Sequence, residues 1–163
     1  MRSMRISPLI RCGVIGIGLL ALIGCAKQQE TEVTGSTNAA AAPGSQQDFV
    51  VNVGDRVLFE TDSAQLTTQA RQTLDKQAIW LNNYNHYAFT IEGHADERGT
   101  REYNIALGAR RAQVVREYLA SRGISEQRMH TISYGKERPV AVCNDISCWS
   151  QNRRAVSVLN QTS

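Results

Sequence analysis

The stretch Gly93-His-Ala-Asp-Glu-Arg-Gly-Thr-Arg-Glu-Tyr-Asn-Ile-Ala-Leu-Gly-Ala-Arg-Arg-Ala112 decides how the rest of the chain is read. Just before it, the alternation of Ala88 to Gly93 puts Phe89 and Ile91 on one face and predicts a strand. Asp96 to Gly99 is a polar turn that ends in glycine. Thr100 is an N-cap candidate, and Glu102 lies in the first turn, where the helix dipole favours an acid. The helix is expected to run to Arg122 and to stop at Gly123, a common C′ residue. Ile105, Ala109, Ala112 and Leu119 fall near helical spacing and are expected to form the core stripe. Asn104, Leu107, Gly108 and Arg111 lie at i, i+3, i+4 and i+7 and form a second face with polar ends. Glycine inside a helix costs about 1 kcal/mol against alanine, so Gly108 points to a close approach of another element.

Outward from this core the pattern repeats more simply. Arg56 to Phe59 is a short strand candidate, followed by a polar loop over 60–65. Thr67 is placed to cap a helix that turns Ala70, Leu74, Ala78 and Leu81 inward. Met129 to Tyr134, closed by Gly135, and Ala155 to Leu159 give two further strands. The order β-α-β-α-β-β predicts an α+β fold: a small mixed sheet with two main helices on one face.

The amino terminus carries an address. Arg2, Arg5 and Arg11 precede an uncharged apolar run, Gly13 to Gly24, that is shorter than the ~20 residues of a spanning helix and fits a secretory signal. The run ends Leu22-Ile-Gly-Cys25, which resembles the lipobox of bacterial lipoproteins, where the cysteine is lipidated and becomes the first mature residue. Residues 1–24 are therefore read as a signal peptide. Residues 25–47, rich in Ala, Gln, Thr, Gly and Ser, are read as a lipidated N-terminus and flexible tether, and residues 48–163 as one domain of ordinary size. As a random coil, such a tether spans on the order of 26 Å, and fully extended about 75 Å.

Removal of the signal changes the charge balance. All 15 acidic residues, and all but three of the 18 basic ones, follow Cys25, so the mature chain is formally neutral. The basicity of the whole chain belongs to the signal, and nothing favours nucleic acid.

Cys143 and Cys148 remain after Cys12 and Cys25 are assigned. An exported domain permits a bridge between them, with unpaired thiols or half a metal site as the other readings. His94-x-Asp96-Glu97 lacks the i, i+4 histidine pair of a metalloprotease helix, and His86 and His130 add no ligand spacing. There is no Gly-x-Ser-x-Gly and no phosphate-binding glycine loop. No complete catalytic constellation appears, and neither an enzyme nor a bound cofactor is expected.

The Gly93–Ala112 motif, together with Ser133-Tyr-Gly-Lys-Glu-Arg-Pro139 and Asn152-Arg-Arg-Ala155, resembles the peptidoglycan-binding signature of OmpA-like domains. Within that family it is most similar to the lipoproteins of the Tol–Pal system. The resemblance implies a β-α-β-α-β core and a ligand, the diaminopimelate-containing stem peptide of peptidoglycan. It implies that Asp96 meets the ligand's ammonium and that Arg111 takes its carboxylate. Asn104 and Leu107 would shape the pocket, with Phe59, Asp62 and Asn152 on its rim. Ala26 after the cysteine, rather than aspartate, implies the outer membrane, with the domain in the periplasm. TolB, and by the same resemblance TolA, would be protein partners; cell-wall attachment, envelope integrity and outer-membrane constriction during division would be the function. Two other readings remain: a tether that works only through protein partners, and a peptidoglycan-processing enzyme. The paired cysteines are not a general feature of the family.

If Cys25 is the lipid site, Cys25→Ala leaves the precursor uncleaved and off the outer membrane; cell fractionation with an antibody to the domain reads this directly.

Overall fold

The computed structural model describes residues 41–160, and the expected signal peptide, Cys25 and most of the expected tether lie outside the described residues. Four strands form one mixed sheet in the order β1-β4-β2-β3. They are β1 (Arg56–Leu58), β2 (Phe89–His94), β3 (Met129–Gly135) and β4 (Arg154–Leu159). β2 and β3 run parallel, while β4 is antiparallel to both β1 and β2.

Two long helices pack on one face of this sheet, as the sequence predicts. Helix α2 (Thr68–Asn83) starts where Thr67 Oγ1 accepts a hydrogen bond from the Ala70 amide at 3.1 Å. It buries Ala70, Leu74, Ala78 and Leu81, and also Gln77 and Trp80. Gln77 is tolerated in the core because both ends of its amide are used. Its nitrogen donates to Gly54 O at 2.7 Å, and its oxygen accepts from the Ser157 hydroxyl at 2.9 Å. Helix α3 (Arg101–Ser121) is capped by Thr100, whose hydroxyl accepts from the Tyr103 amide. It ends in a Schellman arrangement around Gly123, with the Ile124 amide on Leu119 O and the Gly123 amide on Ala120 O.

The two faces expected on α3 are in fact one. Its buried residues are Asn104, Leu107, Gly108, Arg111, Ala112, Val115 and Leu119, whereas Ala109 is exposed and Ile105 only half-buried. The polar ends of that face are covered by loops of the domain instead of by water.

Gly108 shows why this stripe carries a glycine. The backbone of α3 lies directly on β2: a Cβ on Gly108 would sit 2.8 Å from Gly93 O and closer still to Ser133 Oγ, while one on Gly93 would run into the Gly108 carbonyl. Ser133 fastens the same crossing from β3 by donating to Ile105 O at 2.7 Å.

Two elements were not foreseen. Before β1, a helical turn at Gln46–Asp48 (α1) continues as a π-helix over Phe49–Gly54. Phe49 is fully buried with its ring 4.9 Å from that of Trp80, and Trp80 Nε1 donates to Asp48 at 2.8 Å. Hydrogen bonds of the fold reach back to Gly44, whose carbonyl accepts from Tyr87 Oη, so the packed chain starts a few residues before the expected boundary at 47. Between β3 and β4 lies a short helix, α4 (Ile146–Asn152), capped by Asp145. Its only buried residues are Cys148 and Asn152, too few to give a helical apolar period in the sequence.

Gly108→Ala tests the crossing. Helix propensity alone would stabilise the variant by about 1 kcal/mol, but forcing a methyl against backbone costs roughly 1–3 kcal/mol or more. The expected result is a lower melting temperature by circular dichroism, and an unchanged or raised one would contradict the close contact.

Candidate functional site

The amino end of α3, the Ala95–Thr100 turn and the loop after β1 enclose a groove of about 220 Å³. Its walls are Thr61 and Asp62 on one side and Asp96, Arg98 and Gly99 on the other, with Tyr103, Asn104 and Leu107 from α3 between them. A larger cavity of about 480 Å³ lies between β1 and α2, and it meets this region only through Phe59, Glu60 and Arg153.

Arg111 holds the groove together from behind. Its side chain is 0% exposed, yet it has no carboxylate partner at ion-pair distance among the described residues. Instead Nη1 donates to His94 O at 2.7 Å, Nε to Ser63 O at 2.9 Å and Nη2 to Glu60 O at 3.1 Å. The guanidinium also lies 5.1 Å from the Phe59 ring centre. One side chain thus ties the end of β2 to both ends of the 60–63 loop. Burial, and then the neighbouring Arg153 charge, push its pKa down to about 10, still well above neutrality.

Asp96 is 6% exposed and is met by two arginines. Oδ1 accepts from the Arg98 amide and from Arg98 Nε, each at 3.2 Å; Oδ2 accepts from Arg98 Nη2 at 2.8 Å and Arg153 Nη1 at 3.4 Å. Burial by itself would raise the Asp96 pKa, but the hydrogen bonds and charge of Arg98, with Arg153, outweigh it and hold the carboxyl below its ordinary value. Arg153 also donates to Phe59 O at 3.0 Å, so it joins the acid to the start of the opposite loop. Asn104 donates to Arg98 O at 2.7 Å and fixes the turn. Across the groove the Tyr103 hydroxyl donates to Asp62, a residue in the left-handed region at φ 55°. Short polar residues tolerate that conformation, which turns the Asp62 carboxylate toward α3.

Of the expected site residues, Asp62, Asp96, Asn104 and Leu107 come together on the groove. Arg111 and Phe59 lie beneath it, both buried. Asn152 stands apart: its amide oxygen accepts from the Val140 and Ala141 amides, and its nitrogen donates to Ala141 O at 2.8 Å. It shapes the segment before α4, not the groove. Cys143 and Cys148 are bonded to each other, with Cα atoms 5.6 Å apart, which removes the free-thiol and metal readings for this pair. Sequence reasoning passed over Arg98, Arg153 and Tyr103, all inside the quoted motifs. It also passed over Trp149, which donates to Glu97 and stacks under Arg98 at 4.3 Å.

A model of the OmpA family matches residues 58–156. The chain belongs to the OmpA family. Its relatives narrow this to one group: proteins named peptidoglycan-associated lipoprotein from Rhizobium meliloti and Brucella melitensis are 64% and 60% identical over 144 and 145 residues. Those alignments cover 86% of this chain in both cases, and 82% and 86% of the relatives. The crystal structure of the peptidoglycan-associated lipoprotein from Burkholderia pseudomallei superposes with a TM-score of 0.63 at 40% identity, over 65% of this chain and 90% of that one. The C-terminal domain of Helicobacter pylori MotB, at 19% identity and a TM-score of 0.62, shares the fold, over 67% of this chain and 86% of that one.

His94 gives the site a pH signature. Its carbonyl serves Arg111, while its ring is buried against Tyr134; neither nitrogen is hydrogen-bonded, and Nε2 lies 3.5 Å from a Glu92 carboxylate oxygen, too little to offset the burial. Burial, reinforced by the Arg154 and Arg138 charges, lowers its pKa to about 4. Unfolding restores an ordinary pKa near 6.5, so between these values the unfolded chain binds the extra proton and stability falls as pH falls. The loss should reach up to about 3 kcal/mol by pH 4. Urea unfolding across that range should show the slope in the wild type and lose most of it in His94→Gln.

Proposed function

We propose that this chain is an outer-membrane lipoprotein whose periplasmic domain binds peptidoglycan non-covalently through the diaminopimelate of its stem peptides, tying the outer membrane to the cell wall. The observation that supports this most is a buried carboxylate, Asp96, in the wall of one small groove, with a buried guanidinium, Arg111, beneath it. A diamino acid carries an ammonium and carboxylates on one short skeleton and is complementary to such a pair. The ammonium would exchange with Arg98, the more exposed of the two arginines on Asp96. The carboxylate would replace Glu60 O, the longest of the three Arg111 bonds. A guanidinium suits this because it offers two parallel donors to a carboxylate, which lysine does not.

The relatives' shared name, peptidoglycan-associated lipoprotein, supports the same reading. Cys25 would carry the lipid, and the tether would let the domain reach the wall. With TolB and TolA as partners, the protein would serve envelope integrity and outer-membrane constriction at division. The arrangement suits holding a ligand rather than cutting it: Asp96 is committed to two arginines and Arg111 to three backbone carbonyls, so neither is free to activate water.

Removing one partner of a buried charged contact costs on the order of 2–5 kcal/mol, whereas exposed pairs contribute about 0–1 kcal/mol. Asp96→Ala and Arg111→Ala should therefore each weaken binding to purified sacculi about thirtyfold or more, measured on protein shown by circular dichroism to be folded. Arg110→Ala, on the exposed side of α3, should change binding only slightly. Wild-type binding by folded Asp96 and Arg111 variants would leave the alternative, a tether acting through proteins alone.

A further inference from the structure

Beside the groove lies a second cleft, of about 350 Å³, that no part of the function above uses. The two share a wall. Along the extended segment that leaves β2, Asp96, Arg98 and Gly99 face the groove, while Ala95 and Glu97 line the cleft. The far wall is the segment before α4, with Pro139, Ala141 and Val142. The lining is apolar at Ala95, Pro139, Ala141 and Val142 and polar at Lys136, Glu97, Asn144 and Asn152, the last with its amide already committed to the Val140 and Ala141 backbone.

Those two groups are only partly engaged. Lys136 Nζ donates to Gly99 O at 2.7 Å and Glu97 O at 3.2 Å, both uncharged acceptors. No carboxylate stands within ion-pair distance of it among the described residues, so one N–H and a full charge are left for a ligand. Glu97 uses one oxygen for Trp149 and keeps the other. The far wall is built in advance: the Asn152 amide clamps the Val140 and Ala141 backbone on one side, and the Cys143–Cys148 bridge closes the segment on the other.

The groove is too small for a whole peptide. At about 220 Å³ it falls below the ~300–1,000 Å³ of sites that enclose a drug-sized molecule. A stem peptide seated there by its diaminopimelate must extend beyond it, and over the Glu97–Arg98 ridge the adjoining space is this cleft.

We propose that the cleft is a second subsite for the wall ligand, taking the D-alanine that follows diaminopimelate, with its methyl against Ala95, Pro139 and Val142 and its terminal carboxylate on Lys136. This rests on the reading of the groove as a stem-peptide site. The disulfide-closed segment then has a role of its own, as the wall against which the next residue of the ligand packs.

The test compares two probes by calorimetry on the full domain: the stem tripeptide that ends at diaminopimelate and the tetrapeptide that adds one D-alanine. The tetrapeptide should bind about tenfold more tightly, the difference one charge-assisted hydrogen bond supports. Amidation of its terminal carboxylate should remove most of that gain. Val142→Asp, at a position 88% exposed and so harmless to the fold, should abolish the preference and leave tripeptide affinity as in the wild type. Equal affinities for the two peptides, or a preference that survives Val142→Asp, would overturn the subsite while leaving the groove reading intact. If neither peptide binds, the groove reading fails and the subsite with it.

Discussion

A single guanidinium with no carboxylate at ion-pair distance among the described residues holds this domain's functional end. Arg111 reaches three carbonyls that belong to residues 17, 48 and 51 positions away in sequence. Of those oxygens, Glu60 O has a second, longer bond from the Ser63 amide at 3.3 Å, which leaves it the one most easily released by Arg111. The loop after β1 is irregular, so it has no ladder of its own to satisfy its carbonyls. The arginine supplies what a strand neighbour would supply elsewhere. It does so from the middle of a helix pinned to the sheet at Gly93 and Gly108, so the donor cannot retreat.

Arg153 repeats the device from the other side. It reaches both Phe59 O and Asp96, and its own carbonyl accepts from the Phe59 amide. The 59–63 loop is thus held between a helix and a strand by two buried cations, with Asp96 as the buried anion between them. This explains why the acid keeps a low pKa in spite of burial, and why the arginine below it retains its charge. A site framed in this way has its charges in place before a ligand arrives, and less free energy is spent on reorganising them.

Much of this was legible in the sequence. Thr67 and Thr100 announce the two long helices, and Phe89 and Ile91 mark the central strand. Gly108 announces a close crossing, and the paired cysteines point to a bridge. What could not be read was which charged residues turn inward. Arg153 and Arg154 look like solvent-facing arginines, and Arg111 is expected to face a pocket, not to lie fully buried beneath one, because such burial depends on loops that pattern does not describe. The division of α3 into an apolar stripe and a polar face failed for the same reason: Asn104 and Arg111 are covered by backbone oxygens from distant residues, and no local period records that. Helix α4 was invisible because a bridge and an asparagine clamp hold it, not an apolar stripe.

The position of β4 bears on the order in which the domain assembles. It pairs with β1 and β2, although about a hundred residues separate it from β1. Until residues 154–159 have been synthesised, β1 has no strand partner and β2 has an open edge. Arg153, which locks the 59–63 loop, is missing until the same moment. A chain made from its amino end can form α2 and α3 early, but closing the sheet requires contacts of long sequence separation, the slow kind. Nascent chains shorter than this would present an apolar sheet face and an unpaired edge to whatever surrounds them.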